Sequence, residues 1–282
     1  MIQLKKPIKN IITILVIILS VSLTSCGVMD NIKGKFKRDN GYFDYLGSGK
    51  VDVISIQSVR DKSFKFIVTD DKAILSMYEL LSKAKVSEKK SDLQPDYIFE
   101  IKIGDEVKKF NYIVGAYDGN FYDENMSFTV SKRLDESIIQ NLSIIRKPRD
   151  FEYIYYNSIL EVMNRKKKEL NDGNNKVGID IQGDIDCLKY IFSADIEDFL
   201  ERAKKITPNV EMVENNESEF DIVIKVKNRG HNSTVYKSNI TVEDKKNKLE
   251  DYYYVVGENE FKEWNIDIYS KKDVPKEVEK NW

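Results

Sequence analysis

Between residues 51 and 269 apolar side chains recur at every second position over short runs, and this period of two is broken by a few stretches in which they fall three or four apart. A period of two buries one face of a strand and a period near 3.6 buries one stripe of a helix. The chain is therefore expected to form antiparallel sheets with helices packed on them, an α+β architecture. Its 282 residues suffice for two such units.

In the first stretch Val53, Ser55 and Gln57 alternate with Ile54, Ile56 and Ser58, and Phe64, Phe66 and Val68 alternate with Lys65 and Ile67, so two strands meet at a turn near 60–63. Asp70 or Asp71 then caps a helix with Ile74, Met77, Tyr78, Leu81 and Ala84 on one face. Strands are expected at 97–103, 107–114 and 126–131, and a helix follows with Leu134, Ile138, Ile139, Leu142 and Ile145 in phase, halted by Pro148. Residues 151–170 read as a further helix whose basic end, 165–168, suits the negative end of a helix dipole. Asn171-Asp172-Gly173-Asn174-Asn175 ends it.

After that break the first pattern returns. Val177, Ile179 and Ile181 make a strand, a turn falls at Gly183-Asp184, and Leu188, Tyr190 and Phe192 make its partner. Ser193 caps a helix carrying Ile196, Phe199, Leu200, Ala203 and Ile206, which Pro208 stops, and strands follow at 220–226, 234–242, 249–256 and 261–269. The run 97–103 echoes 220–226 at the same remove from a helix ending in Lys83-Ala84-Lys85 or Ala203-Lys204-Lys205. Two tandem, related α+β units are therefore expected at 51–147 and 176–282, each an antiparallel sheet with a packed helix, joined by a helical connector over 148–175.

The residues before 51 carry an address. Lys5, Lys6 and Lys9 precede an apolar run over 11–23. That run is too short for the roughly 20 residues that cross a bilayer, and fits a secretory signal over 1–25. The run ends in Leu23-Thr24-Ser25-Cys26 followed by Gly27, which resembles the lipobox of bacterial lipoproteins. The resemblance implies cleavage before Cys26 and a diacylglycerol on its sulfur. Two acyl chains, at about 0.8 kcal/mol per buried methylene, hold a protein stably on the extracytoplasmic face of the cell membrane. Residues 26–50 read as a tether, with Gly27, Gly34, Gly41, Gly47 and Gly49 among Lys33, Lys35, Lys37 and Arg38, and with Tyr42, Phe43 and Tyr45 docking its far end.

Residues 51–140 also resemble the YhfM-like domain of Gram-positive lipoproteins. The likeness rests on the hairpin, the capped helix ending near Lys83-Ala84-Lys85, the Pro95-Asp96-Tyr97 that leads an alternating strand, the turn at Gly104-Asp105 and a later Gly-rich hairpin. It implies an envelope address and the α+β class, and no activity.

Little in the sequence supports catalysis. Net charge is −2, and loss of the signal removes three lysines and no acid, so nucleic acid is not an expected partner. Once Cys26 is lipidated, Cys187 is alone and reads as a half-buried strand residue. The one histidine, His231, reads as a solvated turn residue, too few for a histidine metal site and without a nucleophile beside it. No phosphate loop, nucleophile elbow or zinc motif is present, so neither cofactor nor metal is expected. The candidate binding residues are Tyr117, Asp118, Tyr122 and Asp123 in the Gly-rich hairpin, and Tyr253 in Tyr252-Tyr253-Tyr254, where one tyrosine face stays wet. Stacked aromatics suit glycan, and Asp118, Asp123 and Glu124 suit calcium less well because the loop spacing differs. The expected function is a non-enzymatic, lipid-anchored interaction protein that engages an envelope protein or a cell-wall component. The alternative is a receptor for a small ligand such as a metal, peptide or glycan, bound between the two units, and a wall-active hydrolase using paired carboxylates is the third.

Overall fold

The computed structural model describes residues 40–131, 134, 147–280 and 282. The signal, Cys26, the tether up to residue 39 and nearly all of the helix expected after Leu134 lie outside the described residues.

The first unit is a seven-stranded sheet in which each recorded pairing is antiparallel. Its elements are β1 (Val53–Ser58), β2 (Lys65–Val68), helix α1 (Asp71–Leu81), β3 (Lys85–Ser87), β4 (Tyr97–Ile103), β5 (Glu106–Tyr112), β6 (Phe121–Tyr122) and β7 (Ser127–Thr129), and the sheet order is β2-β1-β4-β5-β6-β7-β3. The expected β1–β2 turn forms, closed by Gln57 Nε2 donating to the carbonyls of Lys62 and Phe64, both at 3.0 Å. Asp70 caps α1 by accepting from the Ala73 amide at 2.9 Å. A 3-10 helix, Gly41–Ser48, puts Phe43 and Leu46 into the core, where Phe110 and Phe121 stack at 4.9 Å. The end of the expected tether therefore belongs to this core.

The second unit contains α2 (Phe151–Arg165), α3 (Lys167–Leu170), β8 (Val177–Asp180), α4 (Ile185–Leu188), α5 (Ser193–Lys204), β9 (Val210–Met212), β10 (Ile222–His231), β11 (Val235–Asp244), β12 (Leu249–Glu260), β13 (Glu263–Ser270) and α6 (Lys276–Lys280). The sheet order is β13-β12-β11-β10-β8-β9. Helix α2, expected as a connector, is a core element: Ile154, Tyr155, Ile159 and Met163 share one cluster with Ile179, Ile224, Ile240 and Val255. It lies so close to the sheet that a Cβ on Gly257 would come within 2.6 Å of Ile154 Cδ1.

The likeness between the units covers helix, short strand and long hairpin: α1, β3, β4, β5 on one side and α5, β9, β10, β11 on the other. It stops at the first strand, because β1 runs antiparallel to β4 whereas β8 runs parallel to both β10 and β9. The hairpin partner expected at 188–192 does not form. Leu188 ends α4, Tyr190 enters the second core and Phe192 enters the first, so the alternation there records burial between two units and no sheet. Cys187 is accordingly a fully buried helical residue, not a half-buried strand residue.

Candidate functional site

The two units meet at Asp96, in the Pro95-Asp96-Tyr97 step that opens β4. Asp96 is 2% exposed. Its Oδ1 accepts from Arg60 Nη1 at 2.5 Å and from the Ser193 amide at 2.9 Å, and its Oδ2 accepts from the Val114 amide at 2.8 Å. Burial pushes the Asp96 carboxyl above the usual carboxylate range, and the Arg60 guanidinium and the two amides pull against that. Ser193 opens α5, so the carboxylate of one unit satisfies an unpaired amide at the positive end of a helix in the other. Ser193 was expected to cap this helix with its own hydroxyl. That hydroxyl instead donates to the Gln94 carbonyl at 2.7 Å and accepts from Arg60 Nη2 at 2.6 Å, and the N-cap position falls to Phe192, which has no side-chain cap.

Beside this junction lies a cavity of about 780 Å³ lined by both units. The first unit supplies Val59, Arg60, Leu93 and Gln94. One face of α5 supplies Ser193, Ile196, Glu197, Leu200, Glu201 and Lys204, and the chain leaving β9 supplies Met212, Val213 and Glu214. The α5 residues recur at intervals of three and four, as one face of a helix requires, while Phe199 and Ala203 on its other side are buried in the second core. Gln94 Nε2 reaches across to the Glu214 carboxylate at 3.0 Å. A volume of this size, lined by apolar side chains and several polar groups at a junction between units, is the usual form of a small-ligand site. The Ser193 hydroxyl ties two segments together, its proton engaged by the Gln94 carbonyl.

Asp195, in the first turn of α5 and half-buried, is the other notable group near the junction. Burial and then the charges of Glu152, Asp96 and Asp198 push its carboxyl from 3.8 up to about 7, against Lys147. An acid raised on folding holds more protons in the folded state, so its contribution is fully present below about pH 4 and is lost as pH rises through about 7. Asp195→Asn is thus expected to stabilise the protein at pH 8 by about 2 kcal/mol, half of the full displacement because partial exposure screens it. Urea titrations at pH 8 and pH 4 check this, since the gain must vanish at the lower pH.

The candidates drawn from sequence fall elsewhere. Tyr117 is 92% exposed. Asp118 Oδ1 accepts from Thr129 Oγ1 at 2.5 Å and from the Gly119 amide at 3.0 Å, and these bonds with that of Ser87 hold its carboxyl below the ordinary range. Asp123 accepts from Tyr42 Oη and from the Asn125 and Met126 amides, each at 2.7 Å, and so fastens the 3-10 helix to the β6–β7 turn. Tyr122 is buried with Lys90 Nζ 5.7 Å from its ring centre. These four share one hairpin, but Tyr253 lies in the other sheet and is buried in the second core, not wet. Among the described residues no three His, Cys, Asp or Glu side chains are grouped to hold a metal ion. His231 ends β10, with Nδ1 3.2 Å from Asn228 Oδ1 and its ring edge-on to Tyr190. Burial and Asp184 push the Cys187 thiol up, which leaves it unreactive. Of the cleft residues, Ile196 and Leu200 carry the apolar helical period of α5, and Arg60 falls in the β1–β2 turn.

Fold and cleft together define the class: a two-unit α+β protein with ligand-sized space at its junction. Residues 47–148 match the model of the family described as YhfM protein. The match covers a little over a third of the chain and includes Arg60, Gln94 and Asp96, while α5 and β9 lie beyond it. No curated protein and no solved structure matches the chain.

Proposed function

We propose that this chain is an envelope lipoprotein, tethered through a diacylglycerol on Cys26 at the extracytoplasmic face of the cell membrane, that binds a small ligand between its two units without transforming it. The cavity of about 780 Å³ carries this reading. The signal and lipobox residues of the first 26 positions support the address. Of the macromolecular partner and the small ligand expected from sequence, the half-open, polar-edged cleft favours the small ligand. A partner protein remains the second reading, favoured by Phe261. This ring is 99% exposed at the tip of the β12–β13 hairpin, and its φ of 51° is a conformation that strains a bulky residue by about 1–3 kcal/mol.

The test is thermal unfolding of the full chain with amino acids, short peptides and peptidoglycan fragments. A ligand at 100 times its Kd adds about 2.7 kcal/mol. The upward shift is expected to shrink in Leu200→Trp, whose larger ring occupies part of the cleft. A shift that this substitution leaves unchanged, or a panel with no shift at all, would count against the cleft.

A further inference from the structure

We infer that the ligand of this cleft is a short basic peptide held extended along α5, an assignment that rests on the cleft reading above. Three observations converge on that chemistry. The wall formed by Ser193–Lys204 runs about 16 Å at 1.5 Å per residue, the span of about five extended residues. Charge is unbalanced along it. Glu197, Glu201 and Glu214 line the space against Lys204, while Arg60 is already engaged by Asp96. Neither Glu197 nor Glu201 meets a basic partner among the described residues. The same cleft is lined by Ile196, Leu200, Leu93 and Met212, apolar side chains of varied shape, the thioether of Met212 being the most adaptable of them.

An anionic ligand would lie against three carboxylates. A metal ion has no grouped ligands among the described residues. A peptide carrying both basic and apolar side chains offers partners to the carboxylates and to the apolar lining. Strand β9, which among the described residues ends its sheet, leads directly into the cleft wall at Met212, and a terminal strand is a common place for an extended peptide to align.

The experiment uses the full chain and three fluorescein-labelled pentapeptides in which leucine alternates with lysine, glutamine or glutamate, read by anisotropy at 0.15 M salt, with hydrogen exchange followed over 193–204. The lysine peptide is expected to bind about tenfold more tightly than the glutamine peptide and to slow exchange in α5. The pair Glu197→Gln and Glu201→Gln should abolish that preference. Equal or stronger binding of the glutamine or glutamate peptide, with α5 protected, would overturn the basic-peptide assignment and leave the cleft reading standing. No protection with any peptide would overturn the assignment too, and the ligand panel would then judge the cleft separately. Undiminished binding by the double variant would place the peptide elsewhere and overturn the assignment. Binding that appears only after residues 27–39 are deleted would make the chain's own Lys33, Lys35, Lys37 and Arg38 the occupant, and would overturn an external ligand.

Discussion

Arg60→Met is expected to cost about 3–5 kcal/mol, because it leaves the Asp96 carboxylate buried with two amides and no countercharge. Methionine keeps most of the volume, so the loss is electrostatic and not a packing defect. The sign of its pH dependence follows. Without the guanidinium, the Asp96 carboxyl rises further above its unfolded value, so the folded variant takes up a proton that the wild type takes up only at lower pH. The gap between the two proteins should be widest at neutral pH and should narrow as pH falls through that raised value toward 4. Urea denaturation at pH 7.5 and 4.5 measures both. Loss of the junction should also separate the unfolding of the two units, so probes in β4 and in α5 should no longer report one transition. An equal loss at both pH values would mean that Arg60 acts by packing.

Phe192→Ala is the second large effect, about 3–5 kcal/mol. Phe192 follows α4 in the second unit, yet its ring is 8% exposed within the first core, 6.4 Å from Tyr97. Its removal opens a cavity in a unit to which it does not belong in sequence. Hydrogen exchange should therefore quicken in β4, on the far side of the junction, and not only near residue 192. Because Arg60 and Phe192 secure one interface, the double variant should cost less than the two single losses together. Quickening confined to the second unit would contradict the placement of the ring.

Sheets, helices and the α+β class were legible because period and burial agree along β1, β4 and α1, where each side chain answers to one neighbouring layer. The reading failed where a segment answers to two. Leu188, Tyr190 and Phe192 alternate as a strand would, but they face the cleft, the second core and the first core in turn. Strands as short as β3 and β9 carry no period to read. The parallel pairing of β8 is a matter of direction, which alternation does not encode. The junction was hidden for another reason: Arg60 lies 36 residues from Asp96 and 133 from Ser193, and nothing local marks any of the three as partners. Apolar positions 196 and 200 were visible on their helix, but a residue lining a cleft and one filling a core have the same spacing.

The trans-capping of α5 by Asp96, together with the seat of Phe192, bears on what a module is in this chain. The matched stretch 47–148 has the look of a portable domain. Excised, it would carry an aromatic-sized hole in its core and lose the amide and hydroxyl of Ser193 that Asp96 and Arg60 engage. Any protein that uses this stretch in another setting must bring its own plug for the hole and its own donor for Asp96. Phe192 and Ser193, though they lie outside the matched stretch, are thus as much a part of the module as anything inside its borders.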